Sequence, residues 1–268
     1  MRTPMETGEI DLIALNSDLL LGWDGMVLRW MLVDGNVVLD FGSEEEPLGF
    51  QSLADRYARV RSVWVSLLRP VCSLMPSAVA NGIEGEVLKM HHGPSNALRR
   101  SYQSERLGEE VTLMESGPWS AGDDFLKSWP HVRWSSCTLG WLELQKRRTI
   151  PADCASLLSI DVGLNRALMC RFDEGELAWC MVTEDMQGEG VLYHAVNSMV
   201  RSGGDAAAED ARQRTAVVFS GSVESHPGMM KQFTRFFPHV EIEEGALLWK
   251  NDPPADVGDW NLLHQAVR

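Results

Sequence analysis

Residues 19–41 read LLLGWDGMVLRWMLVDGNVVLDF, and residues 157–183 read LLSIDVGLNRALMCRFDEGELAWCMVT. Both stretches begin with an apolar strand that ends near an Asp and a Gly. Two further strands follow in each, separated by a turn. Asp34-Gly35-Asn36 and Asp173-Glu174-Gly175 supply those turns, because Gly and Asn accept positive φ at little cost. The repetition predicts two copies of a β-β-β unit.

After each copy the apolar residues change to a helical spacing, at residues 51–60 and again at residues 189–200. A short apolar run follows each predicted helix, at residues 62–68 and 215–220, and each run is typical of a buried strand. A further helix and strand are predicted at residues 123–129 and 131–137 in the first half, and at 227–236 and 239–242 in the second. The order in each half is therefore β-β-β-α-β-α-β.

The boundary between the halves is expected near residue 150. Residues 139–148 show a helical pattern that ends in a basic run, and Pro151 favours a break in the helix. This divides the chain into an N-terminal half, residues 1–150, and a C-terminal half, residues 151–268. Residues 202–214 are polar, small and Gly-rich, so we expect a surface loop there.

Two halves of this order, with an Asp and a Gly after the first strand, resemble the actin-like ATPase fold of actin, the sugar kinases, the Hsp70 chaperones and one type of pantothenate kinase. The resemblance implies an α/β fold with two ribonuclease H-like halves around a central cleft. In that superfamily the first turn of each half holds phosphates through backbone N–H groups, and an Asp holds the metal. A Gly-containing turn after a later strand holds adenosine.

Mapped onto this chain, the resemblance implies two groups of candidate residues. The catalytic candidates are Asp161, in Asp161-Val162-Gly163, and Asp24, in Trp23-Asp24-Gly25. The candidates for nucleotide binding are Gly25, Gly163, Ser220, Gly221 and Ser222. The alternative for Asp161 is a strand-ending residue that accepts hydrogen bonds from backbone N–H groups in its turn.

Each candidate turn departs from the superfamily pattern. Asp24 and Gly25 have no residue between them and no hydroxyl side chain after them in the loop, and Gly221 stands alone where two glycines are usual. Trp23 stands where the superfamily keeps a small residue, so we expect its ring to fill the phosphate position. Glu143 could be an activating carboxylate, although a solvated helix face is the simpler interpretation.

A narrower resemblance is to DUF3822, a bacterial family of unknown function with an actin-like fold. It is carried by three short motifs: LMPSAV at residues 74–79, WPHVRW at residues 129–134, and Tyr193-His194 after the second β-β-β unit. This resemblance implies a fold and no particular activity.

Metal and redox motifs are absent from the sequence. The five cysteines contain no CxxC pair, so we expect small buried hydrophobic side chains in a reducing compartment. Adjacent His91 and His92 point in different directions on a strand or a helix and would chelate one ion poorly. No metal ligands are therefore predicted.

The composition excludes several classes of function. With 38 acidic and 24 basic residues the formal net charge is −14, which argues against binding to nucleic acid or to an anionic membrane surface. No apolar run approaches the ~18 residues of a membrane span, and Glu6, Glu9 and Asp11 interrupt any secretory signal. We expect a cytoplasmic protein. The ten Trp residues favour buried packing or a protein interface.

Two functions are compatible with these observations. In the first, the chain is a non-catalytic binding or scaffolding protein with a degenerate nucleotide site, a protein partner and no cofactor. In the second, it is a divergent ATP-dependent small-molecule kinase, similar to pantothenate kinase, that uses Mg-ATP through Asp161 and Asp24. We favour the first, because all three turns are altered. A homodimer formed through sheet edges is left open.

Overall fold

The computed structural model of the chain describes residues 15–45, 47–82, 97–108, 110–119, 125–186, 189–200, 204–245, 247–254 and 257–267. The strands are β1 (Asp18–Trp23), β2 (Leu28–Asp34), β3 (Val37–Glu44), β4 (Ser62–Leu67), β5 (Val71–Pro76), β6 (Leu98–Gln103), β7 (Val111–Gly117), β8 (Val132–Trp134), β9 (Ser156–Val162), β10 (Ala167–Asp173), β11 (Glu176–Thr183), β12 (Thr215–Gly221), β13 (His239–Ile242) and β14 (Leu248–Trp249). The helices are α1 (Pro47–Arg56), α2 (Ser77–Ala80), α3 (Cys137–Lys146), α4 (Gly190–Val200), α5 (Gly204–Gln213), α6 (Pro227–Phe236) and α7 (Gly258–His264).

Two sheets share one strand order, as the repeated pattern predicts. The first runs β14-β3-β2-β1-β4-β8, and the second runs β11-β10-β9-β12-β13. In each, the first three strands of the half are antiparallel, and the next strand lies parallel to the first one. The predicted turns form where positive φ is tolerated, at Gly35 (60°) and Gly175 (83°).

Side-chain alternation along β1 decides where Trp23 lies. Leu19, Leu21 and Trp23 share one face of the strand and pack in the cluster beneath α1, whereas Leu20 faces the core shared by both halves. The Trp23 ring contacts Phe50 on α1 at a centroid distance of 6.0 Å. The expectation that Trp23 fills the phosphate position is therefore wrong, because the two-residue period points its side chain to the opposite face of the sheet.

A third sheet, β5-β7-β6, is inserted between β4 and β8, and the sequence pattern did not predict it. Its strand β6 reads LRRSYQ and lacks the apolar alternation of a half-buried strand. The LMPSAV motif lies at its edge, where β5 ends at Pro76 and the short helix α2 begins. The sheet reaches across to the C-terminal half, where Cys72 Sγ lies 3.5 Å from Cys180 Sγ.

Several predicted elements differ from the structure. The helix predicted at residues 51–60 is α1, Pro47–Arg56, and the strand predicted at residues 131–137 is β8, Val132–Trp134. Residues 204–213 form helix α5 rather than the expected loop, since the run Ala206-Ala207-Ala208 and the charged residues after it have high helix propensity. In the predicted helix over residues 123–129, the structure describes a 3-10 turn, Phe125–Ser128, and the start of that prediction lies outside the described residues. The predictions for residues 189–200, 227–236 and 239–242 are confirmed to within one residue.

The last described part of the chain returns from the second sheet to the first. Strand β14 pairs with β3 in parallel, and α7 packs between the two sheets. Trp260, Leu262 and Leu263 on α7 join Trp141 on α3 in a core that includes residues of both sheets. The helix thus lies where the two halves face each other. None of the described helices is long and apolar enough to cross a bilayer.

Candidate functional site

The loop after β1 places Asp24 at the mouth of the cleft. The Oδ1 atom of Asp24 accepts hydrogen bonds from the backbone N–H groups of Met26 (2.9 Å) and Val27 (2.8 Å), and Oδ2 pairs with Arg29. Burial raises the pKa of Asp24, but these backbone donors and Arg29 outweigh it and hold the pKa below its ordinary value. Gly25 adopts φ 105°, which closes this loop.

The C-terminal end of β9 places Asp161 on the other side of the cleft. Asp161 is 2% exposed, and its Oδ2 atom accepts a hydrogen bond of 2.9 Å from Ser220 Oγ. In the turn that follows, Gly163 N–H donates to the carbonyl of Arg166 at 2.8 Å. Burial raises the pKa of Asp161 above its ordinary value, while the neighbouring Arg69 acts in the opposite direction.

Arg69 lies between these two loops and was not predicted from the sequence. It lies two residues after the end of β4, is 4% exposed, and has a backbone φ of 46°, which is uncommon for a residue other than glycine. Its Nη2 atom lies 2.5 Å from Asp161 Oδ1. A Cβ atom on Gly163 would lie 2.7 Å from Arg69 Nη1, so the absence of a side chain at Gly163 makes room for the guanidinium.

The first turn of α7 supplies the other partner of Arg69. Asp259 is 4% exposed; its Oδ1 pairs with Arg69 Nη1, and its Oδ2 lies 2.6 Å from Arg29 Nε. Asp24, Arg29, Asp259, Arg69 and Asp161 therefore form a continuous chain of alternating charges across the cleft, which we call the cleft ion-pair chain. The two carboxylates that Arg69 binds raise its pKa above the ordinary value against the effect of burial.

The predicted adenosine turn lies beside Asp161. Gly221 adopts φ 85°, and Ser222 N–H donates to the carbonyl of Val162 at 2.6 Å, so this turn is attached to the end of β9. A Cβ on Gly258 would lie 2.5 Å from atoms of Gly221 and Ser222, so α7 packs directly against the turn. An open pocket of about 400 Å³ adjoins Ser220, Gly221 and Ser222 on the side of β13.

The structure therefore brings the predicted residues together at one cleft. Asp24, Gly25 and Gly163 line a pocket of about 720 Å³ together with Arg29, Arg69 and Asp259. Ser220, Gly221, Ser222 and Asp161 line the neighbouring pocket. Their roles in catalysis and nucleotide binding remain predictions.

The remaining candidates from the sequence are Glu143, the adjacent histidines and the cysteines. Glu143 Oε2 lies 2.8 Å from Arg106 Nη1, and Glu143 Oε1 accepts a hydrogen bond from Ser104, so this carboxylate joins α3 to the turn after β6. His91 and His92 lie outside the described residues. The cysteines are free, with Cys154 partly exposed and the other four buried.

Sequence reasoning missed Arg69, Arg29 and Asp259. A signal for Arg69 was present, because it directly follows the apolar run at residues 62–68, and strands parallel to β1 end at the same edge as Asp24. Asp259 gave no comparable signal, since its position depends on the return of the chain to the first sheet.

No family model matches the chain, and no curated protein matches it significantly. Solved structures do resemble it. A Bacteroides thetaiotaomicron protein with an actin-like ATPase fold and unknown function gives a TM-score of 0.69 at 12% identity, over 98% of this chain and 99% of that one. The PilM-PilN type IV pilus biogenesis complex contains a chain with a TM-score of 0.51 at 14% identity, covering 93% and 97%. The cytoplasmic domain of EpsL from Vibrio cholerae, an inner membrane component of the type II secretion system, gives 0.50 at 13%, covering 94% of each chain.

These similarities confirm the predicted fold class. The chain has the α/β actin-like ATPase fold, over nearly its whole length. At such low identity the likeness concerns the fold alone. The narrower resemblance to DUF3822 has no matching family model and stays a hypothesis.

Proposed function

We propose that this chain is a non-catalytic binding or scaffolding protein in which the nucleotide site of the actin-like fold is degenerate. The observation that carries the proposal is the position of Arg69, whose guanidinium pairs with Asp161, the carboxylate that would hold the metal of a nucleotide. Asp161 has its other oxygen bonded to Ser220. Both oxygens of the candidate metal ligand thus already face partners of this chain.

A nucleotide would have to break the cleft ion-pair chain. Mg²⁺ at Asp161 would displace Arg69 and leave this buried guanidinium with Asp259 as its remaining counter-charge, and a buried charge that loses a partner is unfavourable. A phosphate group near Arg69 would compete with Asp259, a carboxylate held in place by a helix of the same chain. The protein already supplies an anion and a cation where a kinase would bind the phosphates and the metal.

The mouth of the cleft supports a binding role. Met26 is 76% exposed in the loop after β1, and Leu164 is 48% exposed in the loop after β9. The resemblance to the superfamily would place small hydroxyl side chains in these loops. Two exposed apolar side chains beside the charged pair of Arg166 and Glu184 are typical of a protein contact.

Two of the similar structures are parts of assemblies. PilM is solved with PilN in a pilus biogenesis complex, and EpsL is a component of a secretion system. Both resemble this chain in fold over more than nine-tenths of its length. Their example supports a protein partner for this fold without identifying one here.

The alternative is an ATP-dependent phosphotransferase, and one observation favours it. The pocket of about 400 Å³ beside Gly221 lies where the resemblance would place adenosine. Nucleotide binding therefore separates the two functions. A ligand that binds only the folded state raises the melting temperature in a saturable way.

The first experiment measures the melting temperature of the full chain over a series of Mg-ATP and Mg-ADP concentrations, together with phosphate release. We expect no saturable shift at millimolar nucleotide and no release above background. Asp161→Asn is the test variant, and Asp252→Asn is the matched control, because Asp252 is exposed and lines neither pocket of the cleft. A saturable shift that Asp161→Asn abolishes and Asp252→Asn retains would overturn the proposal in favour of the kinase.

The second experiment tests the binding role. A photo-crosslinking amino acid replaces Leu164 at the mouth of the cleft or, as a control, the 64% exposed Tyr193 on α4. We expect one discrete protein adduct in the native host from position 164 and none of the same mass from position 193. Identical adduct patterns at both positions would contradict a partner at the cleft mouth.

A further inference from the structure

Three side chains with different donor atoms meet at one edge of the second sheet, far from the cleft. A carboxylate oxygen of Asp153, the Sγ atom of Cys154 and a ring nitrogen of His239 all lie within 4.8 Å of one another. His239 Nε2 already lies 3.0 Å from Asp153 Oδ2. No local sequence motif indicates this cluster, because Cys154 and His239 lie 85 positions apart in the chain.

The backbone fixes the positions of these residues. Cys154 N–H donates to the carbonyl of Pro151 at 2.9 Å, which forms a turn, and Ala155 N–H donates to the carbonyl of Arg214 at 2.8 Å, which attaches that turn to the start of β12. His239 is the first residue of β13 and pairs with Ala216 of β12. The three donors therefore lie at the beginnings of β9 and β13, the two parallel strands on either side of β12.

This edge is opposite to the cleft. Strand β9 begins at Ser156, two residues after Cys154, and ends at Val162 beside Gly163 of the cleft. Its seven residues span about 20 Å at ~3.3 Å per residue. The cluster is thus separate from the cleft ion-pair chain and plays no part in the proposed function.

We propose that Asp153, Cys154 and His239 form a binding site for Zn²⁺ or a similar divalent transition metal. A thiolate, an imidazole and a carboxylate are the three ligand types that Zn²⁺ takes in proteins, and sulfur and nitrogen donors disfavour Mg²⁺ and Ca²⁺. Three protein ligands leave the fourth tetrahedral position for a water molecule or for a side chain of a partner protein.

The donors can adjust to an ion at small cost. The side chain of Asp153 is 69% exposed, and that of His239 is 34% exposed, so neither is fixed by close packing. A bound ion would replace the hydrogen bond between these two residues with two bonds to the metal. The charged neighbour Arg214 is exposed, and solvent screens its charge.

A metal here would join the connection between the halves to the second sheet. Residues 147–155 link α3 to β9, and Arg148 in this link already lies 2.7 Å from Glu241 of β13. An ion held by Cys154 and His239 would add a second attachment between the same two segments. We therefore expect metal binding to stabilise the folded chain.

The test uses the full chain after treatment with a chelator. Co²⁺ is titrated as a spectroscopic substitute for Zn²⁺, because a thiolate ligand gives a near-ultraviolet charge-transfer band and a four-coordinate site gives visible d–d bands. Zn²⁺ affinity and stoichiometry are then measured by competition with a chromophoric chelator. The variants are Cys154→Ser, His239→Gln and Asp153→Asn, with His131→Gln as the matched control, because His131 is exposed and lies outside the cluster.

We expect one equivalent of Co²⁺ with a thiolate band, and a saturable rise of the melting temperature with Zn²⁺. Cys154→Ser should remove the band, and His239→Gln or Asp153→Asn should weaken Zn²⁺ at least ~10-fold, since even residues that only orient metal ligands contribute that much. His131→Gln should change neither. A missing thiolate band at millimolar Co²⁺, or a band that survives in Cys154→Ser, would overturn the proposal. Melting of each variant without metal shows that it is folded.

Discussion

The buried carboxylate of Glu115 provides a quantitative test of how burial acts in this chain. Glu115 lies on β7, is 1% exposed, and accepts a hydrogen bond of 2.6 Å from Ser136 Oγ at the start of α3. Burial raises its pKa from 4.5 to about 7, even though the hydroxyl groups of Ser136 and Thr138 act in the lowering direction. Because the folded state holds this proton more tightly than the unfolded state, the free energy of unfolding falls as the pH rises from 4.5 to about 7.

The size of the effect follows from the shift. At about 1.4 kcal/mol per pKa unit, the change from 4.5 to about 7 is worth about 3 kcal/mol in total. Roughly 2 kcal/mol of it falls between about pH 5.5 and about pH 8.5. Burial and the Glu115 charge raise the pKa of Cys137 to about 12, above this range, so that thiol does not titrate in the experiment.

The perturbation is Glu115→Gln, which keeps the shape of the protonated side chain and removes its titration. Urea unfolding followed by Trp fluorescence gives the free energy of unfolding at several pH values. From the lower to the upper end of that pH range, the free energy of unfolding of the variant should rise by about 2 kcal/mol relative to that of the unaltered chain. The control is Glu105→Gln, an exposed carboxylate on the turn after β6. Equal pH slopes for Glu115→Gln and the unaltered chain would refute the reasoning.

Three further changes test the cleft and the cysteines. Arg69→Met leaves Asp161 without its buried counter-charge, so urea unfolding should show a loss of about 3–5 kcal/mol; a loss below about 1 kcal/mol would mean that the pair is not formed. Gly221→Ala should destabilise the fold by about 1–3 kcal/mol more than Gly175→Ala. The two glycines have nearly the same φ, but only at Gly221 would a Cβ atom meet backbone, at 2.2 Å. Equal losses of stability in thermal melts would contradict this. With a disulfide thiol reagent, Cys154 should react first because the other four cysteines are buried, and a fast phase that persists in Cys154→Ser would show that another thiol is accessible.

The two β-β-β units could be predicted from the sequence because they depend on local patterns. Each β-β-β unit combines apolar residues at every second position with turns that contain Gly or Asn. Few structures other than antiparallel strands accommodate this combination. Helix α5 was missed because small and polar residues were interpreted as loop, although alanine favours a helix more than any other residue. The composition of this segment led to the prediction of a loop, whereas the intrinsic helix propensity of its alanines would have predicted the helix.

The sequence predicts where the cleft lies but not which charged side chains pair within it. Asp24 and Asp161 lie where the repeated pattern predicts, since Asp24 directly follows the first strand of its half and Asp161 is the next-to-last residue of the corresponding strand. What the pattern does not contain is the pairing of Arg69 with Asp259, two residues 190 positions apart. Such a contact depends on the return of the chain through β14, and no local preference encodes it.

The returning segment has a consequence for the order in which the protein can be completed as it leaves the ribosome. Strand β3 forms its outer pairing only with β14, and Arg69 finds one of its two carboxylates only on α7. A nascent chain that has emerged only as far as β8 therefore has an unpaired strand edge and a guanidinium that lacks both of its carboxylates, and both features favour contact with other chains. The N-terminal half is synthesised first, but its sheet is completed only after β14 and α7 have been synthesised. A chaperone that shields β3 during translation would act until then.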